Sequence, residues 1–117
     1  MSQDVIEFEL EEEALCEALA RLGAEEVVVT MGEDILFRYP RDADVSQILS
    51  QVRSTLSILS DADPFLELRF QDRAIFVLRV DDYVAVASGR FQEGSAEDAR
   101  LLLELLVNRA RGELEHY

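Results

Sequence analysis

The spacing of hydrophobic and polar residues changes several times along the 117-residue chain, and each change marks an element. Leu15, Ala18, Leu19 and Leu22 fall at helical spacing and Gly23 follows as a C-cap, which predicts a first helix over residues 11–22. Phe8 extends that stripe by a turn, but Ile6, Phe8 and Leu10 also alternate with Glu7 and Glu9. Residues 1–10 therefore read either as a short strand or as an extension of the helix. Residues 25–31 (EEVVVTM) are β-branched and apolar on both faces, which suits a central strand, and Gly32-Glu33-Asp34 turns the chain into a partner strand over 35–39. Pro40 stops this hairpin. A second helix is predicted over 45–60, ending before Asp63-Pro64; Asp44 as N-cap with Gln47 three residues later makes a capping-box pattern.

Three strand-like runs follow at 65–70, 74–80 and 83–88, separated by Gln71-Asp72-Arg73 and by Asp81-Asp82, and they read as a meander. Residues 89–94 form a loop, and Ser95 with Asp98 caps a last helix whose core stripe is Ala99, Leu102, Leu103, Leu106 and Ala110. Leu101 and Leu105 lie on another side of that helix and are expected to meet the first helix, which places both helices on one sheet face. The predicted fold is α+β: a five-stranded antiparallel sheet in the order helix, two strands, helix, three strands, helix, with the middle helix on the opposite face. There is no internal repeat, low-complexity tract or linker, so residues 1–117 read as a single domain. A domain of that size buries about two thirds of its unfolded surface and folds without disulfides or metal.

Charge narrows the possible partners. With 25 acidic against 11 basic residues the formal net charge is −14, which disfavours nucleic acid and anionic membrane surfaces, while an apolar fraction of 49% is too high for disorder. All the basic residues are Arg, which reads as a GC-rich genome. The first residues lack the basic start and apolar run of a signal peptide, and no stretch approaches the roughly 20 apolar residues of a membrane span. A cytoplasmic location is expected.

Candidate chemistry is sparse. His116, the single histidine, reads as part of a solvated tail; Cys16, the single cysteine, reads as a packed small residue, since a nucleophile would want a base near it. No cofactor is expected, because Gly32, Gly89 and Gly94 stand apart without the spacing of a phosphate-binding loop. The acid pairs 42/44, 61/63 and 81/82 sit where caps and turns want them and lack the EF-hand ligand pattern. Glu11-Glu12-Glu13 reads as a solvated helix start, where each negative charge contributes a few tenths up to about 1 kcal/mol.

The middle helix is the anomaly. Val45, Ile48, Leu49, Val52, Leu56 and Leu59 fall in a sector of roughly 100° that packs on the sheet. Its other face carries Ser46, Gln47, Ser50, Gln51, Ser54, Ser57 and Ile58, flanked by Arg53, where the other two helices are studded with Glu. Small uncharged residues let a second helix approach and remove the repulsion between two acidic copies. This face is therefore expected to be a contact, most simply in a two-fold dimer.

The helix EALCEALARLG, the hairpin AEEVVVTMGEDILFRYP, the middle helix, the run LELRFQDRAIFVLRVDDYVAVASG and the C-terminal helix together resemble the Roadblock/dynein light chain 7 family, over most of the chain from about Glu11 to Leu114. The resemblance implies a non-enzymatic homodimer in which the middle helices and third strands meet, so that Phe65, Leu66, Glu67, Leu68, Arg69 and Phe70 join the interface. It further implies a regulatory or scaffold role with a small Ras-like GTPase as partner. Charge then selects a register for two-fold pairing of the third strand: centring on Leu68 sets Glu67 opposite Arg69 of the other copy, whereas centring on Glu67 or Arg69 opposes like charges. A competing class is the acidic secretion-chaperone dimer that holds a client protein; its usual order places three strands before the middle helix and two after. An unrecognised small enzyme is a third class without supporting residues.

Overall fold

The computed structural model describes residues 2–60 and 62–115, with side chains over 12–60 and 62–112. Helix α1 (Ser2–Leu22) leads into β1 (Ala24–Met31) and β2 (Asp34–Tyr39); α2 (Ser46–Arg53) and a 3₁₀ turn (Leu56–Ile58) follow, then β3 (Phe65–Arg69), β4 (Ala74–Val80), β5 (Tyr83–Gly89) and α3 (Ala96–Glu115). The strands form one antiparallel sheet in the order β2-β1-β5-β4-β3, which leaves β2 and β3 as its edges.

Strand alternation sorts the core into two layers. Val27, Val29, Phe76, Leu78, Ala85 and Ala87 pack with Cys16, Leu19, Leu103, Leu106 and Val107, so α1 and α3 cover one face. Val28, Ile75, Val77, Val84 and Val86 pack with Val45, Ile48, Val52 and Leu59, so α2 covers the other. The fold is the expected α+β arrangement, with two helices on one face and the middle helix opposite.

Local expectations fare unevenly. The N-terminal piece is helical from Ser2, which moves Glu12 from a helix start to mid-helix. One turn before Cys16 and two before Leu19, Glu12 is only 6% exposed, so the acidic run is not a solvated start throughout. The middle helix is shorter than expected. Its backbone ladder gives way after Arg53, where Ser54 Oγ donates to Gln51 O at 2.9 Å and Thr55 Oγ1 to Val52 O at 2.7 Å. Hydroxyls that bond carbonyls of the preceding turn loosen a helix. The apolar stripe nevertheless continues through the 3₁₀ turn, because Leu56 and Leu59 still join the core.

The expected capping box and the expected cap of the last helix form other bonds. Asp44 accepts from Ser46 N–H (3.1 Å) and Ser46 Oγ–H (2.6 Å), not from Gln47, and Ser95 donates its hydroxyl to Gln92 O at 2.7 Å. The sharpest departure concerns α3. Leu101 and Leu105 are 58% and 50% exposed and, among the described residues, stand outside the core cluster in which Cys16 and Leu19 of α1 pack with Leu103, Leu106 and Val107 of α3.

Candidate protein interface

Strand β3 pairs only with β4, in a register that sets Leu66 against Val77, Glu67 against Phe76 and Leu68 against Ile75. Leu66 and Leu68 lie on the α2 side. On the other side Phe65 stacks on Phe76 with centroids 5.7 Å apart, and the Arg100 guanidinium lies 5.6 Å above the Phe65 ring. Glu67 and Arg69 share that side, and Arg69 Nε donates to the Glu67 carboxylate at 2.7 Å.

The hydrogen bonds at the two ends of β3 show which backbone groups are free. Phe70 N–H donates to Arg73 O at 2.7 Å and Arg79 N–H to Pro64 O at 2.9 Å, so the even-numbered residues of β3 bond to β4. Antiparallel pairing alternates these roles along a strand. Phe65, Glu67 and Arg69 therefore turn their N–H and C=O groups to the open edge. An open edge is a template for another strand.

Around α2 the polar residues divide into two flanks. Gln47 and Gln51 line a groove of about 250 Å³ with Phe70, Arg73, Ile75 and Ser88, beside the β3–β4 turn. Ser46 and Ser50 line another of about 310 Å³ with Ile35, Arg38, Leu49 and Arg53, beside β2. Ser54 lies in the turn after α2, while Ser57 and Ile58 belong to the 3₁₀ turn; all three are exposed, Ile58 at 65%. Phe70 lies just past β3 and is 49% exposed. The expected contact residues are thus not one helix face: Gln47, Gln51 and Phe70 come together, and Ser46 and Ser50 turn toward β2.

Electrostatics follow the same division. Arg73 spans Glu25 (2.7 Å) and Ser88 Oγ (3.3 Å) at the first groove. At the second, the Ser46 hydroxyl and then its N–H hold the Asp44 carboxyl below the usual range. Ile35 escaped sequence reasoning because a bulge sets its direction: Val29 pairs with Phe37 but Thr30 with Ile35, leaving Leu36 over. The bulge turns Ile35 off the Phe37 face and toward α2. Cys16 is fully buried, and burial, helped by Glu12 and Glu13, pushes its thiol up to about 12. Among the described residues no group of three His, Cys, Asp or Glu could hold a metal, and no helix is long and apolar enough to cross a membrane. His116 lies outside the described residues. What the surface offers is backbone pairing and apolar contact.

No family model matches the sequence, and no curated protein matches it by sequence. Solved structures do match. An MglB with a tetrameric arrangement superposes with a TM-score of 0.66 at 12% identity, covering 86% of this chain and 88% of that one. MglB of Myxococcus xanthus gives 0.62 at 13% identity over 92% and 97% of the two chains. The gliding protein MglB of Thermus thermophilus gives 0.62 at 9% identity over 86% and 88%. Identities this low speak to fold, and the five-stranded sheet with its three helices is the Roadblock-type fold of the MglB structures.

Proposed function

We propose that residues 1–117 act as one Roadblock-like domain, a non-enzymatic homodimer that regulates or scaffolds a small Ras-like GTPase in the cytoplasm. The observation that carries this reading is the juxtaposition of two features far apart in the sequence. The open edge of β3 lies on the same side of the molecule as α2, the helix with no acidic residue, through Leu66 and Leu68. Two copies meeting there across a two-fold axis form a continuous ten-stranded sheet and bring together the two helices that carry no acidic residue. Because Glu67 and Arg69 point their backbone groups outward, a pair centred on Leu68 lets Glu67 of one copy exchange both hydrogen bonds with Arg69 of the other.

The GTPase assignment rests on the resemblance of the sequence to the Roadblock/dynein light chain 7 family and on the fold shared with MglB structures. The chaperone class fits less well, since two strands precede α2 and three follow it. Light scattering at micromolar concentration, followed by calorimetric titration with each Ras-like protein of the host in its GDP and GTP forms, tests both halves. A dimer that binds one such protein supports the reading. A monomer overturns the first half, and a dimer indifferent to all of them overturns the second.

A further inference from the structure

Helix α3 carries an apolar stripe that this fold leaves uncovered. Leu101 and Leu105, one turn apart, are 58% and 50% exposed, whereas Leu103 and Leu106 are buried and Leu102 packs against the core. Glu97 and Asp98 stand one turn before Leu101, and Glu104 lies beside Leu105. Two of the three arginines of α3 are engaged away from the stripe: Arg100 bonds Glu104 at 3.1 Å and covers the Phe65 ring, and Arg111 reaches Asp81 at 3.2 Å.

The formal charge of the two helical sequences points the same way. Helix α1 has seven acidic residues and one arginine, and α3 has five against three, so these two helices hold net −8 of the chain's −14. On the opposite face α2 has no acidic residue and one arginine. A second copy of this chain would bring acidic rims against acidic rims, and an anionic membrane would be repelled. An apolar pair at i, i+4 bounded by carboxylates complements a helix with leucine-like residues on one face and arginine or lysine beside them.

We propose that the Leu101–Leu105 stripe is a docking site for a basic amphipathic helix of a partner protein. The site lies on a helix that packs on the sheet face opposite α2, so it goes beyond the dimer and GTPase reading and stands or falls separately.

The probe is a synthetic helical peptide of about 18 residues with leucines on one face and arginines on the other, compared with a scrambled peptide of identical composition. Binding is followed by fluorescence anisotropy and by the methyl resonances of Leu101 and Leu105. The amphipathic peptide is expected to bind at least tenfold more tightly than the scrambled one and to shift those methyls. Leu101→Ser with Leu105→Ser should remove that preference while leaving the circular dichroism spectrum unchanged, because both side chains are exposed. Equal binding of the two peptides, methyl shifts confined to other residues, or an undiminished preference in the double variant would overturn the proposal. A fall in the wild-type oligomeric mass on making the double variant would overturn it too, by assigning the stripe to a second copy.

Discussion

Arg69 Nε donates to the Glu67 carboxylate at 2.7 Å, two residues apart on the exposed edge of the sheet. The same two residues turn their free backbone groups outward, so the chain closes on itself a charge pair that a second copy could exchange. An exposed ion pair of this kind contributes little to monomer stability. Its value lies in selecting how two edges meet.

Reversal of either charge is expected to weaken the dimer while leaving the monomer folded. Glu67→Arg or Arg69→Glu should cost about 1 to 2 kcal/mol of dimer affinity, roughly 5- to 30-fold, since two cross-strand pairs change from unlike to like. The double reversal should restore the wild-type value. Analytical ultracentrifugation decides the matter; a double variant no tighter than the single ones would dismiss the Leu68-centred register.

Negative charge placed along the outer surface near α2 is expected to act in the same direction. Ile58, 65% exposed, and Ser54, in the turn after α2, can both become Glu without disturbing the core. Each substitution should weaken dimerisation by about tenfold or more, with thermal stability of the monomer unchanged within about 0.5 kcal/mol. If both variants dimerise like the wild type, the contact lies elsewhere.

Gly23 and Gly89 hold the end of α1 against the end of β5. Gly23 has φ +124°, and a Cβ on Gly89 would lie 2.2 Å from Gly23 O and 2.7 Å from Glu25 N. The contact is backbone against backbone, with Arg90 N–H donating to Gly23 O at 3.0 Å, so no flexible side chain can yield. Gly89→Ala is therefore expected to destabilise the fold by about 2 to 3 kcal/mol. Urea denaturation should show a lower midpoint with an unchanged slope.

Cys16 makes a prediction in pH. Its thiol, ordinarily near 9.0, is held at about 12 in the folded chain, chiefly by burial. Between those values the unfolded chain releases a proton that the folded chain keeps, so stability falls as pH rises, by at most about 1.4 kcal/mol per pH unit from this group. Below pH 9 the contribution is fully present. Cys16→Ala should flatten the stability profile above pH 9, and the native wild type should resist alkylation at pH 8. Rapid native alkylation there would contradict the buried placement.

Periodicity carried most of the fold. The β-branched run EEVVVTM, the runs 74–80 and 83–88, and the helical stripes through Leu19 and Leu103 each fix the element and the direction of its side chains, because side-chain direction follows from backbone geometry at every residue. The uncharged character of the middle helix was equally legible, since charge is a property of composition. Other features depend on contacts between segments distant in sequence. The helical spacing of Leu101 and Leu105 gives their angle from the core stripe, but not what covers that side, and among the described residues both stay half exposed or more, outside the core cluster. Ile35 changes face because pairing with β1 slips by one residue at Leu36, a property of two strands together. Glu12 is buried within a helix that starts at Ser2, so it lies mid-helix and not at a solvated start. The adjacency of β3 and α2 likewise comes from the strand order, which leaves β3 at an edge. Local spacing determines where side chains point; only long-range pairing decides what they point at.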